Sequence, residues 1–374
     1  MAKVSIVLPT FNGEKYIRES IDSILGQSFQ DWELIVVDDC SSDNTAVVIR
    51  EYAKKDQRIQ MIQNVQNQKL PKSLNIGFKK AKGDYLTWTS DDNIFLADAI
   101  KSMVEYLDHN SKEYMVRADM YLIDEHSQII GKSETFLLDD LYLYNLIGAC
   151  FLYRREVLST VGDYNADLFG VEDYDYWLRI YEQYNTIGHI SQPLYLYRYH
   201  TQSLSNQKRM LIAKHRTNMR LNHFSYISKD LNKRIDKLVE IYCQMLESGL
   251  SQSQIPENLY ELVPLLKGDF AGSCDMPYIV YGAGNYGDRV YELLGDKIAY
   301  YADSDPDKEG RKKNGVTIIS IKELSEKLAK YQILIAVSAE KMWEVLLKLD
   351  TYGIKKICTY QLFLSEMNMN GGKT

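Results

Sequence analysis

Cysteine is scarce in this chain. Its 374 residues include five, Cys40, Cys150, Cys243, Cys274 and Cys358, which are scattered and form no Cys-x-x-Cys pair. This spacing argues against a disulfide framework or a zinc site and fits a reducing cytosol. Long apolar runs are missing as well. No stretch is long enough to cross a bilayer, and Met1-Ala2-Lys3 leads straight into a strand-like segment without a signal peptide. The expectation is a cytoplasmic protein, with peripheral contact at the inner face of the membrane left open. There is no excess of positive charge. Forty-four Lys and Arg stand against 51 Asp and Glu, a net charge of −7, so no broad basic surface is expected and nucleic acid is not an expected partner. Internal repeats and low-complexity segments are absent too. With 45% hydrophobic and 25% charged residues, the composition is that of a soluble globular protein long enough for two or three domains.

Short apolar runs alternate with helical spacing along the first part of the chain. Residues 4–8 (VSIVL) read as a buried strand ended by Pro9, 14–26 as a helix, and 33–37 (ELIVV) as a second buried strand. A helix over 43–55, a strand at 59–62, a helix at 73–81 and a strand at 85–89 follow. This alternation predicts an α/β fold with a parallel sheet covered on both faces. The pattern is less regular from 98 to 160. Residues 171–184 and 206–250 read as helical, the latter rich in Lys and Arg, and 250–277 as a connection. A second α/β unit begins at 278. The expected division is 1–205, a helical connector over 206–275, and a smaller domain over 276–374.

In an open parallel sheet, ligands bind beyond the C-terminal ends of the strands. Pro9-Thr10-Phe11-Asn12 follows the first strand, Asp38-Asp39 the second, and Ser90-Asp91-Asp92-Asn93 the fourth. Acidic residues from two strands therefore gather on one rim, where their repulsion needs compensation. A divalent cation bridging to phosphate oxygens would supply it. Asp38 alone reads as a turn or cap residue, whereas Asp39, Asp91 and Asp92 together read as functional.

Four ordered segments, VSIVLPTFNGEKYI, ELIVVDDCSSDNT, LPKSLNIGFKKAKGDYLTWTSDDN and EDYDYWLR, resemble the family 2 glycosyltransferases of the GT-A fold. The TSDDN segment looks most like the spore-coat polysaccharide branch. The resemblance spans about residues 3–205 and implies a mixed, mostly parallel sheet flanked by helices. It also implies roles. Pro9, Thr10 and Phe11 would line the nucleotide pocket, Asp39 would bond the base, commonly uracil, and Asp91 would turn to the ribose. Asp92 would hold Mn²⁺ or Mg²⁺. Asp173 would be the general base of an inverting transfer, with Glu172 orienting an acceptor hydroxyl or the loop. His200, in YRYH, joins the metal site in parts of the family; a structural histidine is the alternative. The acceptor side is built around a glycine matching Gly148. Two positions depart from the pattern. Thr89 stands where many members have Asp, and Lys69 where many have Gly. The lysine is either a contact to the nucleotide or its phosphates, or a solvated loop residue. The expected partners are a nucleotide-sugar donor, commonly UDP-linked, and a glycan, glycoprotein or polysaccharide acceptor, with a homo-oligomer plausible.

The pair Glu172-Asp173 opens a helix in which Tyr174, Trp177, Leu178 and Tyr181 recur at helical spacing. Trp177 and Leu178 read as core. Two adjacent acids at the helix start read as chemistry, with the helix dipole as the competing explanation.

Residues 282–287 (Gly-Ala-Gly-Asn-Tyr-Gly) form a GxGxxG match between a strand and a helix, and Asp303 closes the next strand. This resembles the nucleotide-binding half of a Rossmann unit, which makes Gly282, Gly284, Gly287 and Asp303 a candidate second nucleotide site, for NAD(P) among others. An assembly or acceptor-docking module is the other reading. Three functions follow in order: a glycosyltransferase, a sugar-nucleotide-modifying or NAD-binding protein acting through the C-terminal part, and a non-catalytic nucleotide-sugar-binding scaffold.

Overall fold

The first part of the chain runs β1 (Val4–Thr10), α1 (Ile17–Leu25), β2 (Trp32–Asp38), α2 (Thr45–Lys55), β3 (Ile59–Gln63), α3 (Leu70–Phe78) and β4 (Tyr85–Trp88). Every residue of β1 and β2 is buried. That explains why their sequences are mostly apolar without alternation, with the buried Ser5 and Glu33 paired to each other. The computed structural model describes residues 2–133, 138–201, 203–231, 233–266, 276–355 and 357–370. These divide into two compact units, Met1–Met219 and Arg220–Thr374.

The first unit continues through β5 (Ile94–Phe95), α4 (Ala99–His109), β6 (Met115–Ile123), β7 (Ile129–Lys132), β8 (Phe151–Arg154), α5 (Arg155–Val161), α6 (Glu172–Tyr184) and β9 (Gly188–Arg198). Its sheet has the order β3-β2-β1-β4-β8-β6-β9-β5, with β7 paired to β6. The pairs β1–β2, β1–β4, β2–β3 and β6–β9 are parallel, and β8 runs antiparallel to both β4 and β6. The expected mixed, mostly parallel sheet is therefore present. Ile17, Ile21 and Ile24 of α1 and Ile100, Met103, Val104 and Leu107 of α4 pack in one core cluster with Val4, Ile6 and Leu8 of β1. Each such side chain contributes about 1.5–3 kcal/mol of burial.

Two expected boundaries shift. Pro9 does not end β1; it pairs with Val37 inside the strand. The Val7 carbonyl accepts from Thr89, so Val7 and Pro9 face the β4 side, while Thr10 faces β2 through the Asp39 N–H. Beyond Trp88 the ladder to β4 has ended, so the missing N–H of proline costs no bond there. Helix α3 starts at Leu70, three residues before the expected 73, with Pro71 in its first turn, where a missing N–H is harmless.

Past β9 come the short helix α7 (Leu204–Gln207) and α8 (Arg209–Asn222), within which the division into units falls. The second unit holds α9 (Phe224–Asp230), α10 (Ile235–Glu247), α11 (Glu257–Leu262), β10 (Tyr278–Tyr281), α12 (Asn285–Leu294), β11 (Ile298–Ala302), β12 (Lys312–Lys313), β13 (Val316–Ile319), α13 (Ile321–Glu326), β14 (Gln332–Ile335), α14 (Ala339–Thr351), β15 (Cys358–Thr359) and α15 (Tyr360–Asn370). Its sheet has the order β12-β13-β11-β10-β14-β15 and is parallel except for β12. Helix α10 packs on α14 and α15 of the same unit. Among the described residues, Cys40, Cys150, Cys243 and Cys358 are free thiols, and no helix is long and apolar enough to cross a membrane. Cys274 lies outside the described residues.

Candidate active site

Three loops at the C-terminal ends of β1, β2 and β4 are stitched together by polar contacts. Asn12 takes a positive φ of 57°, and its Oδ1 accepts the Ser42 N–H at 2.8 Å. The Asn12 N–H donates to Ser41 Oγ at 2.9 Å. Glu14 holds the Asn44 N–H and amide, and Asp43 accepts the Glu14 N–H. Asp38 is fully buried and structural, accepting from the Ser41 N–H and the Gln63 amide. Within this frame Pro9 and Thr10 are buried and Phe11 is 51% exposed, an aromatic face presented at the rim.

Asp39 is buried and accepts three N–H bonds, from the Asn64 amide at 2.8 Å, the Gln68 backbone at 2.7 Å and the Lys69 backbone at 2.9 Å. Two of these converge on Oδ1, so Oδ2 keeps capacity for a further donor. Lys69 has φ 71° and ψ 163°. This region is open mainly to glycine and costs another residue about 1–3 kcal/mol. The Asp39 bond holds the strained peptide, and it accounts physically for the glycine expected at this position. The Lys69 side chain is exposed.

Thr10 Oγ1 donates to Asp91 Oδ2. A Cβ on Gly13 would run into both groups, so only glycine lets the β1 turn pass so close to this carboxylate. Burial first, and the charge of Asp92 second, push the Asp91 pKa up to about 7, against the Thr10 bond. Asp92 Oδ2 lies 3.1 Å from His200 Nε2. Thr89, where many family members have Asp, is buried and lies 2.5 Å from the Tyr195 hydroxyl.

The sequence reading missed Arg198, which fixes this rim from beneath. It is 1% exposed. Its Nε donates to the Asp92 carbonyl at 2.8 Å, Nη1 to Ser127 Oγ at 2.9 Å and to the Asp124 carbonyl at 3.2 Å, and Nη2 to Glu19 at 2.8 Å. Its backbone N–H donates to Asn93 Oδ1 at 2.8 Å, and the guanidinium lies 4.3 Å from the Tyr16 ring centre. Tyr16 in turn packs against the His200 ring at 5.7 Å. Arg198→Met strands two carbonyls and Glu19, and is expected to cost about 3 kcal/mol. For a unit of this size that is a fall of about 6–12 °C in Tm by calorimetry; a fall below about 2 °C would contradict this role.

Glu172 and Asp173 start α6. Trp177 and Leu178 are fully buried, as expected for core. Trp177 packs on Phe151 at 4.4 Å, and Phe151 on Trp88 at the end of β4 at 6.0 Å, which seats α6 over this part of the sheet. Asn145, unforeseen from sequence, donates to Asp173 Oδ2 at 3.0 Å. Burial raises the Asp173 pKa above the usual carboxyl range; the Tyr174 N–H, the Asn145 amide and the Arg216 charge oppose that shift. Burial, then the Asp173 charge, pushes the Glu172 pKa up to about 8, and Glu172 accepts the Gly170 N–H. Gly148, on the expected acceptor side, has φ 72°, and a Cβ there would meet Met120.

The glycine motif of the second unit lies between β10 and α12. Gly282 has φ 109°, and a Cβ on it would strike the Ala336 carbonyl; one on Gly287 would strike the Gly282 carbonyl; Gly284 faces open space. Asp303 accepts from Lys308 Nζ at 2.8 Å and from the Asp305 and Ala283 N–H groups at 3.0 and 3.2 Å. These contacts tie Asp303 to the glycine loop itself.

Comparison with known proteins supports a glycosyltransferase. Residues 5–162 match the Glycosyl transferase family 2 model. Residues 5–162 thus carry a family 2 glycosyltransferase domain, and relatives of the chain are named as glycosyltransferases. The relative named "Putative glycosyltransferase EpsE" from Bacillus subtilis (strain 168) is 28% identical over 244 residues, 61% of this chain and 88% of EpsE. The uncharacterized glycosyltransferase RP339 of Rickettsia prowazekii (strain Madrid E) is 30% identical over 189 residues, 48% of this chain and 58% of RP339. Among solved structures, S. aureus TarS 1-349 in complex with UDP superposes with a TM-score of 0.50 at 19% identity, over 70% of this chain and 83% of that one, a likeness of fold.

Proposed function

We propose that the chain transfers a sugar, with inversion, from a UDP-linked donor to a hydroxyl of a glycan, glycoprotein or polysaccharide acceptor, and that it uses a divalent cation. The observation that carries this reading is the half-buried Asp173 carboxylate, raised in pKa and oriented by Asn145. A carboxylate tuned toward neutral pH is a competent proton acceptor. The acceptor oxygen bonds to the anomeric carbon as its proton passes to Asp173. The bond from that carbon to the diphosphate oxygen breaks, and its electron pair leaves with the nucleoside diphosphate. Asp39 offers its remaining acceptor capacity to a base N–H, Phe11 a ring face to the base, and Asp91 a bond to a ribose hydroxyl.

Asp92 and His200 would hold the cation. A carboxylate oxygen and an imidazole nitrogen 3.1 Å apart suit a borderline-hard ion such as Mn²⁺. Among the described residues no group of three such side chains is present, which fits an ion that completes its shell with phosphate oxygens and water. Bound there, the cation would stabilise charge on the departing diphosphate. The UDP bound in the TarS structure supports the choice of donor. Calorimetric titration of UDP tests the reading. Affinity should fall by about tenfold or more when Mn²⁺ is chelated, a loss of about 1.4 kcal/mol. UDP binding unchanged by chelation, or none at all, counts against it.

A further inference from the structure

The first unit ends in a cationic segment. Residues 206–219 contain Lys208, Arg209, Lys214 and Arg216 and no Asp or Glu, in a chain of net charge −7. Helix α8 is fastened at two points to the loop that leads into α6 and its Asp173. A Cβ on Gly170 would sit 2.7 Å from Ile212 Cγ1, so this glycine lets α8 approach closely. One turn on, His215 Nδ1 lies 2.7 Å from the Phe169 carbonyl. Arg216 follows directly and stands close enough to act electrostatically on Asp173. Arg216 and Lys214 are both exposed, and among the described residues neither forms a hydrogen bond or ion pair.

A cation in this place works against proton abstraction, because it weakens the base. A compensating gain lies in binding. The donor's phosphates already have candidate partners across the rim, at Asp92 and His200 through a cation. The acceptor would enter on the Asp173 side, where Glu172 and Asp173 are the acids that start α6. We propose that α8 makes the acceptor site selective for negatively charged glycans, with Arg216 binding a carboxylate or phosphate borne by the acceptor near the reacting hydroxyl. A planar guanidinium is suited to either anion through paired N–H bonds. This inference rests on the transferase reading above.

The test uses the full chain, one donor and three matched oligosaccharide acceptors: neutral, uronate-bearing and phosphate-bearing. The wild type should favour a charged acceptor over the neutral one by about tenfold in kcat/KM, and that preference should weaken as salt rises. The ratio should fall toward one in Arg216→Gln and be partly kept in Arg216→Lys, with the change in acceptor KM. The uronate and phosphate arms identify the anion. A wild type indifferent to acceptor charge overturns the proposal, as does a ratio unchanged in Arg216→Gln. A rise confined to donor KM also overturns it, by placing Arg216 on the donor diphosphate. Transfer without charge preference leaves the transferase reading standing, whereas no transfer to any of the three acceptors removes both.

Discussion

Asp173→Asn is expected to lower kcat by about 10²–10⁴-fold, the usual contribution of a positioned general base, and to leave UDP affinity unchanged. Asparagine keeps the shape of the side chain and an oxygen for the Asn145 amide, now 3.0 Å from Asp173 Oδ2, but cannot take a proton. The pH profile provides a second readout. The ionised form of Asp173 is the active one, so wild-type activity is lost as pH falls through a pKa that burial has raised above the ordinary carboxyl range. That limb should vanish in the variant. The same shift has a definite sign for stability. A folded state that keeps carboxyl protons above pH 4, where the unfolded chain has released them, loses stability as pH rises through the raised pKa. Asp173→Asn should therefore flatten the fall in Tm between that range and neutral pH. A variant with kcat within tenfold of wild type would exclude Asp173 as the base.

The second large effect is expected at Asp92. Asp92→Ala should reduce metal-dependent turnover by about 10³-fold, the scale of losing electrostatic stabilisation at a leaving group. It should also abolish the Mn²⁺ dependence of UDP binding. The backbone here is held by Arg198, through the Asp92 carbonyl and the Asn93 side chain, so removing the carboxylate leaves the loop in place. Asp91 then loses one of the influences that push its pKa up to about 7, which makes a slightly higher Tm the expected companion of the lost activity. Activity that still responds fully to Mn²⁺ in this variant would remove Asp92 from the metal site.

Much of the sheet was legible because β1 and β2 are buried on both faces and carry mostly apolar, β-branched runs, which leave little ambiguity. Placing the acids at strand ends followed from the fold class alone. The stretch from 98 to 160 was less readable. β6 is buried over its first five residues and only partly afterwards, and β7 is mostly exposed, so neither shows a clean period. Pro9 misled because the cost of a proline depends on which side of the strand has a partner, a fact of pairing and not of the residue. The remaining omissions share one cause. Arg198, Gly13 and Asn145 act on groups 106, 78 and 28 positions away, at Asp92, Asp91 and Asp173. Nothing local marks such contacts. Arg198 had one available signal, its place two residues before the singled-out His200.

The most direct test of a single displacement with Asp173 as base needs no acceptor. Water can replace the acceptor hydroxyl, and proton NMR identifies the sugar anomer released from a UDP-α-linked donor before mutarotation scrambles it. Inversion predicts that the β-anomer appears first and that Asp173→Asn suppresses its formation. Initial release of the α-anomer would contradict the mechanism.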